Sequence, residues 1–187
     1  MCAAALLAGC EREGVRTRDV AKGVERVPAA PEPAPGPDQS AEPVAADRAW
    51  PWTVPQGWTE DPAPRQMRLA TYLAPDPAGS VEVAVTRFAG RVGGELANIN
   101  RWRGQMGLAP LGEGELEAAV VRFASLGHDG YRARIESAAG VMLAAAVYQE
   151  AIDQTWFVRS TVPDAGVADR LERDIFAMAR SIAGLAQ

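Results

Sequence analysis

Two thiols, one imidazole and an arginine-bearing run around a glycine turn are the groups whose types and spacing could do chemistry in this chain. Cys2 and Cys10 both fall in the first ten residues, so everything after Cys10 lacks thiols, disulfides and thiolate metal ligands. His128 is the only histidine. It stands in LGHDGY beside Asp129, at an expected turn between strands where a polar residue is needed anyway; a general base is the competing role. No Gly-x-Ser-x-Gly turn occurs, which removes the nucleophile-elbow hydrolases. A typical zinc site needs about three or four converging His, Cys or carboxylate ligands, and this composition does not supply them. Glu113, Glu115 and Glu117 make no calcium-loop pattern and read as the solvated start of a helical turn. The expectation is no catalytic residue, no metal and no cofactor.

The glycine turn is Gly90-Arg91-Val92-Gly93-Gly94. Glycines let backbone N–H groups approach an anion at the positive end of a helix. The run lacks both the Lys-Ser/Thr of a P-loop and the spacing of a dinucleotide fingerprint, so a tight strand-to-helix turn is the plainer role. From Val92 onward, Val92, Leu96, Ile99, Trp102 and Met106 recur at steps of four, three, three and four, one stripe of a helix. Asn98, Arg101 and Gln105 are then expected to point outward as an exposed hydrogen-bonding stripe. Gly93, Gly94, Asn98, Arg101 and Gln105 form the candidate binding surface. Arg103 falls nearer the apolar side, where its stem would lie along the core edge or its head pair with a carboxylate.

The elements that must position this helix follow from periodicity. MRLATYL (67–73) and VEVAVTRF (81–88) alternate apolar and polar residues around APDPAGS, which predicts a hairpin with one wet face. Gly107 and Pro110 end the first helix. Four more strands are predicted at 117–126, 130–137, 141–150 and 154–162, with short antiparallel connections at 137–140 and 150–153. Pro163 and Asp164 then open a second helix, whose buried face is Val167, Leu171, Ile175, Met178 and Ile182. Ahead of all this, Trp50, Trp52 and Trp58 crowd an irregular stretch expected to lay aromatic faces over a core edge. The sum is an α+β domain, residues 49–187, with an antiparallel sheet of about six strands sandwiched by helices.

The remaining residues set the domain's surroundings. The 187-residue chain is 48% hydrophobic and 23% charged, enough for one domain plus extras. A net charge of -5 argues against nonspecific binding to nucleic acid, which requires a concentrated basic face. Lys22 is the only lysine, a bias that a high-GC genome produces without any function. No run of about 18 or more apolar residues exists to form a transmembrane helix. Residues 27–47 read VPAAPEPAPGPDQSAEPVAAD, rich in proline and poor in large apolar side chains, so residues 11–48 are expected to be a disordered tether. Its proline-rich part would reach roughly 60 Å at about 3.1 Å per residue along a polyproline path.

Leu7-Ala8-Gly9-Cys10 resembles the lipobox of bacterial lipoproteins, which implies cleavage before Cys10 and acylation of its thiol, with residues 1–10 a partial signal peptide. Several acyl chains on one terminal cysteine make a durable anchor. The basic n-region of a secretory signal is missing, which points either to a start upstream of Met1 or to a truncated sequence. Glu11 assigns neither inner nor outer membrane. The element order resembles the Mog1/PsbP-like fold, an α-β-α sandwich. The run from Gly90 to Gln105 is similar to a group of uncharacterised predicted bacterial lipoproteins with a G-x-x-G-G-x-x-A-N-x-N-R-W-R-x-Q core. These resemblances imply a membrane-anchored extracytoplasmic lipoprotein with a non-catalytic binding or accessory domain for an envelope protein. An arginine/carboxylate enzyme or small-anion binder using the Gly90–Arg103 region, and a purely structural envelope protein, are the alternatives.

Overall fold

The strand run GSVEVAVTRFA places Val81, Val83 and Val85 on one side and Ala84, Thr86 and Phe88 on the other. Both sides carry apolar residues, so a sheet built on it needs cover on each face. The computed structural model describes residues 50–183; the expected signal segment, Cys10, the tether and the domain boundary at 49 lie outside these residues.

In chain order the elements are β1 (Thr59–Glu60), β2 (Ala70–Asp76), β3 (Gly79–Ala89), α1 (Gly94–Gln105), α2 (Leu116–Ala119), β4 (Val121–Ser125), β5 (His128–Ser137), β6 (Gly140–Gln149), β7 (Gln154–Val162) and α3 (Ala165–Arg180). The seven strands form one sheet in the order β1-β2-β3-β7-β6-β5-β4, every neighbouring pair antiparallel. Two meanders are therefore joined along the β3–β7 pairing, which runs from Ala84↔Arg159 to Ala89↔Gln154.

The α+β class and the six periodic strands match the sequence pattern; the seventh, β1, has two residues and is too short to show alternation. One strand is displaced. The chain is helical at Glu117–Ala119 and β4 begins at Val121, because the run from Leu116 completes the helical turn opened at Glu113–Glu115. The first helix begins at Gly94 rather than Val92, since Gly93 and Gly94 adopt φ of 73° and 69° at its entry.

Each face has its own core. On one, Tyr72, Val83, Leu143, Trp156 and Val158 meet Leu171, Ile175 and Met178 of α3, with Trp52 and Trp58 closing the rim. Trp52 donates from Nε1 to the Tyr72 hydroxyl at 3.0 Å and stacks on Trp50 at 4.7 Å. The five positions expected on the inner stripe of the second helix are all buried, and Asp164 caps α3 by accepting from the Val167 N–H at 2.9 Å. On the other face, Ile99, Trp102 and Met106 of α1 press onto Tyr131, Ala133, Ala144, Ala146 and Phe157. Alanines on β5 and β6 leave the depth that the Trp102 indole fills, edge-on to Phe157 at 5.9 Å. Complete burial of such a side chain contributes on the order of 2–3 kcal/mol.

α1 crosses the strands. Its first turn reaches β4 through Glu95 and Arg122, and its last reaches β7 through Gln105 and Arg159. Ten residues of helix rise about 15 Å, and three strand spacings cover about 14 Å, so one short helix spans the sheet from β4 to β7.

Gly140 opens β6 at φ 122°, and a Cβ there would meet the Val162 carbonyl oxygen at 2.3 Å. Gly79 has φ 126° but nothing within 4 Å. Chemical denaturation of Gly140→Ala is expected to show a loss of about 2 kcal/mol or more, clearly exceeding that of Gly79→Ala, which carries backbone strain alone.

Candidate functional site

The chain leaves β3 at Gly90, whose N–H donates to the Asp153 carbonyl at 2.7 Å and whose own carbonyl accepts from Thr155 Oγ1 at 2.6 Å. The glycine turn is thereby pinned to the start of β7. Arg91 lies over the Tyr148 ring at 4.0 Å, and the Tyr148 hydroxyl donates to Asp153 Oδ1 at 2.8 Å. At the helix entry, Gly93 and Gly94 hold left-handed backbone, and a Cβ on Gly93 would press on Asn98 Oδ1 at 3.4 Å. Glu95 occupies the first turn, so the positive end of α1 already has a carboxylate, itself paired with Arg122. The glycines make a turn that lets the helix start close to the sheet.

Asn98 differs from its expected place. It is buried, not exposed, because its amide is the joint of the turn: Nδ2 donates to the Val92 carbonyl at 2.9 Å and the Tyr131 hydroxyl at 3.0 Å, while Oδ1 accepts from Arg101 at 2.8 Å. Arg101 and Gln105 are exposed as expected. Arg103 is half-buried and, among the described residues, pairs with no carboxylate; it donates from Nε to the Ala109 carbonyl at 2.8 Å and ties down the loop after α1. His128 stands half-buried at the start of β5, Cα-paired with Ser125, directly after the Leu126-Gly127 turn.

Between the glycine turn and β5–β6 lies a cavity of about 70 Å³, lined by Arg91, Glu95, Asn98, Tyr131 and Tyr148 among others. That volume admits a few waters and falls well below the few hundred Å³ of ordinary ligand pockets. Arg91 borders it, whereas Arg101 is not among its lining residues and donates to Asn98 Oδ1, so the two arginines do not converge on one enclosed carboxylate. Among the described residues no three His, Cys, Asp or Glu side chains gather as metal ligands do.

Arg159, which the sequence pattern did not single out, is the residue that joins α1's exposed side to the sheet. It donates to Gln105 Oε1 at 2.8 Å from the middle of β7. The available signal was the single charge in β7, at the third of four positions on its Thr155-Phe157-Arg159-Thr161 side.

No family model matches the chain, and no curated protein matches it. Among solved structures, a crystal structure of a protein from Bacteroides thetaiotaomicron VPI-5482 is similar over 68% of this chain, at 11% identity and a TM-score of 0.38. The match covers 42% of that chain, so this protein spans less than half of its length. Likeness at that level is too slight to carry any functional argument.

Two outcomes test the joint. Asn98→Ala leaves the Val92 carbonyl and the Tyr131 hydroxyl without their donor, and a loss of about 2 kcal/mol is expected in denaturant titrations. Burial pushes the Tyr131 phenol from 10.0 up to about 12, against the opposing pull of the Asn98 bond. The unfolded phenol releases its proton first, so this contribution is intact below pH 10 and falls away as pH rises toward about 12. Tyr72 acts with the same sign, also reaching about 12. Denaturation midpoints taken across that window should decline less steeply for Tyr131→Phe.

Proposed function

We propose that this protein is a membrane-anchored extracytoplasmic lipoprotein whose folded part is a non-catalytic binding or accessory module for an envelope protein. Cys10 carries the lipid, the proline-rich segment spaces the domain from the bilayer, and the exposed side of α1 is the contact surface. A helix on each face of an antiparallel sheet is the layering that the Mog1/PsbP-like resemblance implies, and it supports placing the domain with that fold. The observation that carries the binding role is the contrast on α1: Asn98 and the glycine turn are occupied in holding the structure, while Arg101 and Gln105 stand in solvent. The cavity beside the glycine turn is small for a substrate.

An arginine-based enzyme is the weaker reading, since Arg91 and Arg101 serve different partners. Metabolic labelling with a palmitate analogue should mark the full-length gene product, and Cys10→Ala should abolish the label and release the protein from the membrane fraction. A photo-crosslinking residue at Gln105 should capture one envelope protein in native membranes, whereas the same residue at Arg173 on α3 should not. An unlabelled, soluble wild-type protein would remove the proposed role.

A further inference from the structure

The face of the sheet beside α1 carries a row of small side chains interrupted by one charge. Arg159 on β7 has Ala84 of β3 and Ala144 of β6 as its Cα partners, and Thr71 of β2 stands opposite Ala84. With alanine on either side, the Arg159 side chain has room to lie along the sheet, and it ends at Gln105 of α1. Arg101 lies one turn before Gln105 on the same helix. Arg68 reaches the other end of the row, donating to Thr71 Oγ1 at 3.3 Å and pairing with Glu82 at 3.1 Å. Among the described residues, neither Arg101 nor Arg159 forms an ion pair; their bonds go to the neutral Asn98 and Gln105.

The local balance is the reverse of the chain's. Among the described residues Arg65 and Arg68 share Asp61 and Glu82, while Arg101 and Arg159 have no carboxylate partner, so four cations are set against two anions in a protein of net charge -5. Partial burial, followed by the charges of Arg101 and Arg68, holds the Arg159 pKa below its usual value. A guanidinium drawn from water among like charges costs stability, and an anion placed against it offsets that cost.

We propose that Arg159, Arg101 and Arg68 form a carboxylate-binding site for an acidic segment of the partner protein, a proposal that rests on the reading of α1 as the contact surface. The spread of the site selects an extended segment over a single small anion. Thr71 and Arg159 are two strand spacings apart, about 10 Å, while carboxylates on one side of an extended chain recur about every 7 Å. Guanidinium forks bind carboxylates in two-point fashion, and the shared Gln105 and Asn98 contacts hold two of the forks in place beforehand.

The test uses the full chain bearing Cys10→Ser, with fluorescence anisotropy of a labelled hexaglutamate peptide and, in parallel, inorganic phosphate as competitor. Wild type is expected to bind the peptide, more weakly as salt rises. Arg159→Gln and the solvent-exposed Arg101→Gln should each weaken binding about tenfold or more, Arg159→Lys should retain part of it, and Arg173→Gln on α3 should leave it unchanged. Arg159→Gln should also melt no lower than wild type, which separates loss of the site from loss of the fold. No peptide binding by wild type, equal binding by wild type and both glutamine variants, or binding of phosphate without peptide would each overturn the proposal. Crosslinking at Gln105 is independent of this titration, so the site and the anchored binding role fail separately.

Discussion

β7 is hydrogen-bonded to β3 along one edge and to β6 along the other, and this insertion makes a single sheet of two meanders. Without it, β1–β3 and β4–β6 would be separate antiparallel ribbons, each with an open edge and an uncovered apolar side. The insertion also puts β6 and β7 in the middle, where residues alternate toward both faces and nearly all are buried. A sheet buried on both sides needs cover on both sides. The long connection after β3 supplies α1 on one face, and the chain after β7 supplies α3 on the other.

The two helices are fastened by different means. α3 has a continuous apolar stripe and is further held at the rim by ions: Arg134 reaches Asp169 at 2.6 Å and Glu172 at 2.9 Å, and Arg132 lies over the Phe176 ring at 4.8 Å. Arg170 grips Asp76 at 2.6 Å and so ties α3 to the β2–β3 hairpin. Where they are exposed these pairs contribute modestly to stability, but together they fix the helix's position on the sheet. α1 is shorter and is held by one deep indole, Trp102, and by the Asn98 amide. Among the described residues Arg101 and Arg103 have no carboxylate partner, and this supports proposing that part of α1, rather than its glycine-lined N-terminal end, as the contact surface.

The N-terminal end of α1 shows the opposite economy of groups. Several polar groups that the glycine run brings near are met by described residues: Gly90 by Asp153 and Thr155, Val92 by Asn98, Asn98 by Tyr131 and Arg101. A buried amide in that position discriminates strongly against other side chains, because any replacement leaves hydrogen-bonding groups unpaired in a low-dielectric site. The Gly-Gly-x-x-x-Asn spacing is thus a device for joining a strand to a crossing helix, and the proposed contact surface begins one turn later.

Periodicity alone determined the class of the fold, the β2–β7 strands, the two long helices and the inner stripe of α3, since alternation by two and recurrence near 3.6 are imposed by backbone geometry whatever the partner. β1 and the true start of β4 escaped it, because two residues show no period and the Leu116–Ala119 run fits helix and strand alike. The burial of Asn98 was not legible either. Helical spacing assigns a side chain to a direction, but whether that direction meets water depends on which strand lies beneath, and only the tertiary structure set Tyr131 there. Arg159 is the clearest case of the same limit: in sequence it is one charge in a strand, and although Ala144 comes from the adjoining strand, Ala84, the Gln105 contact and the nearby Arg68 and Arg101 all come from elements distant along the chain.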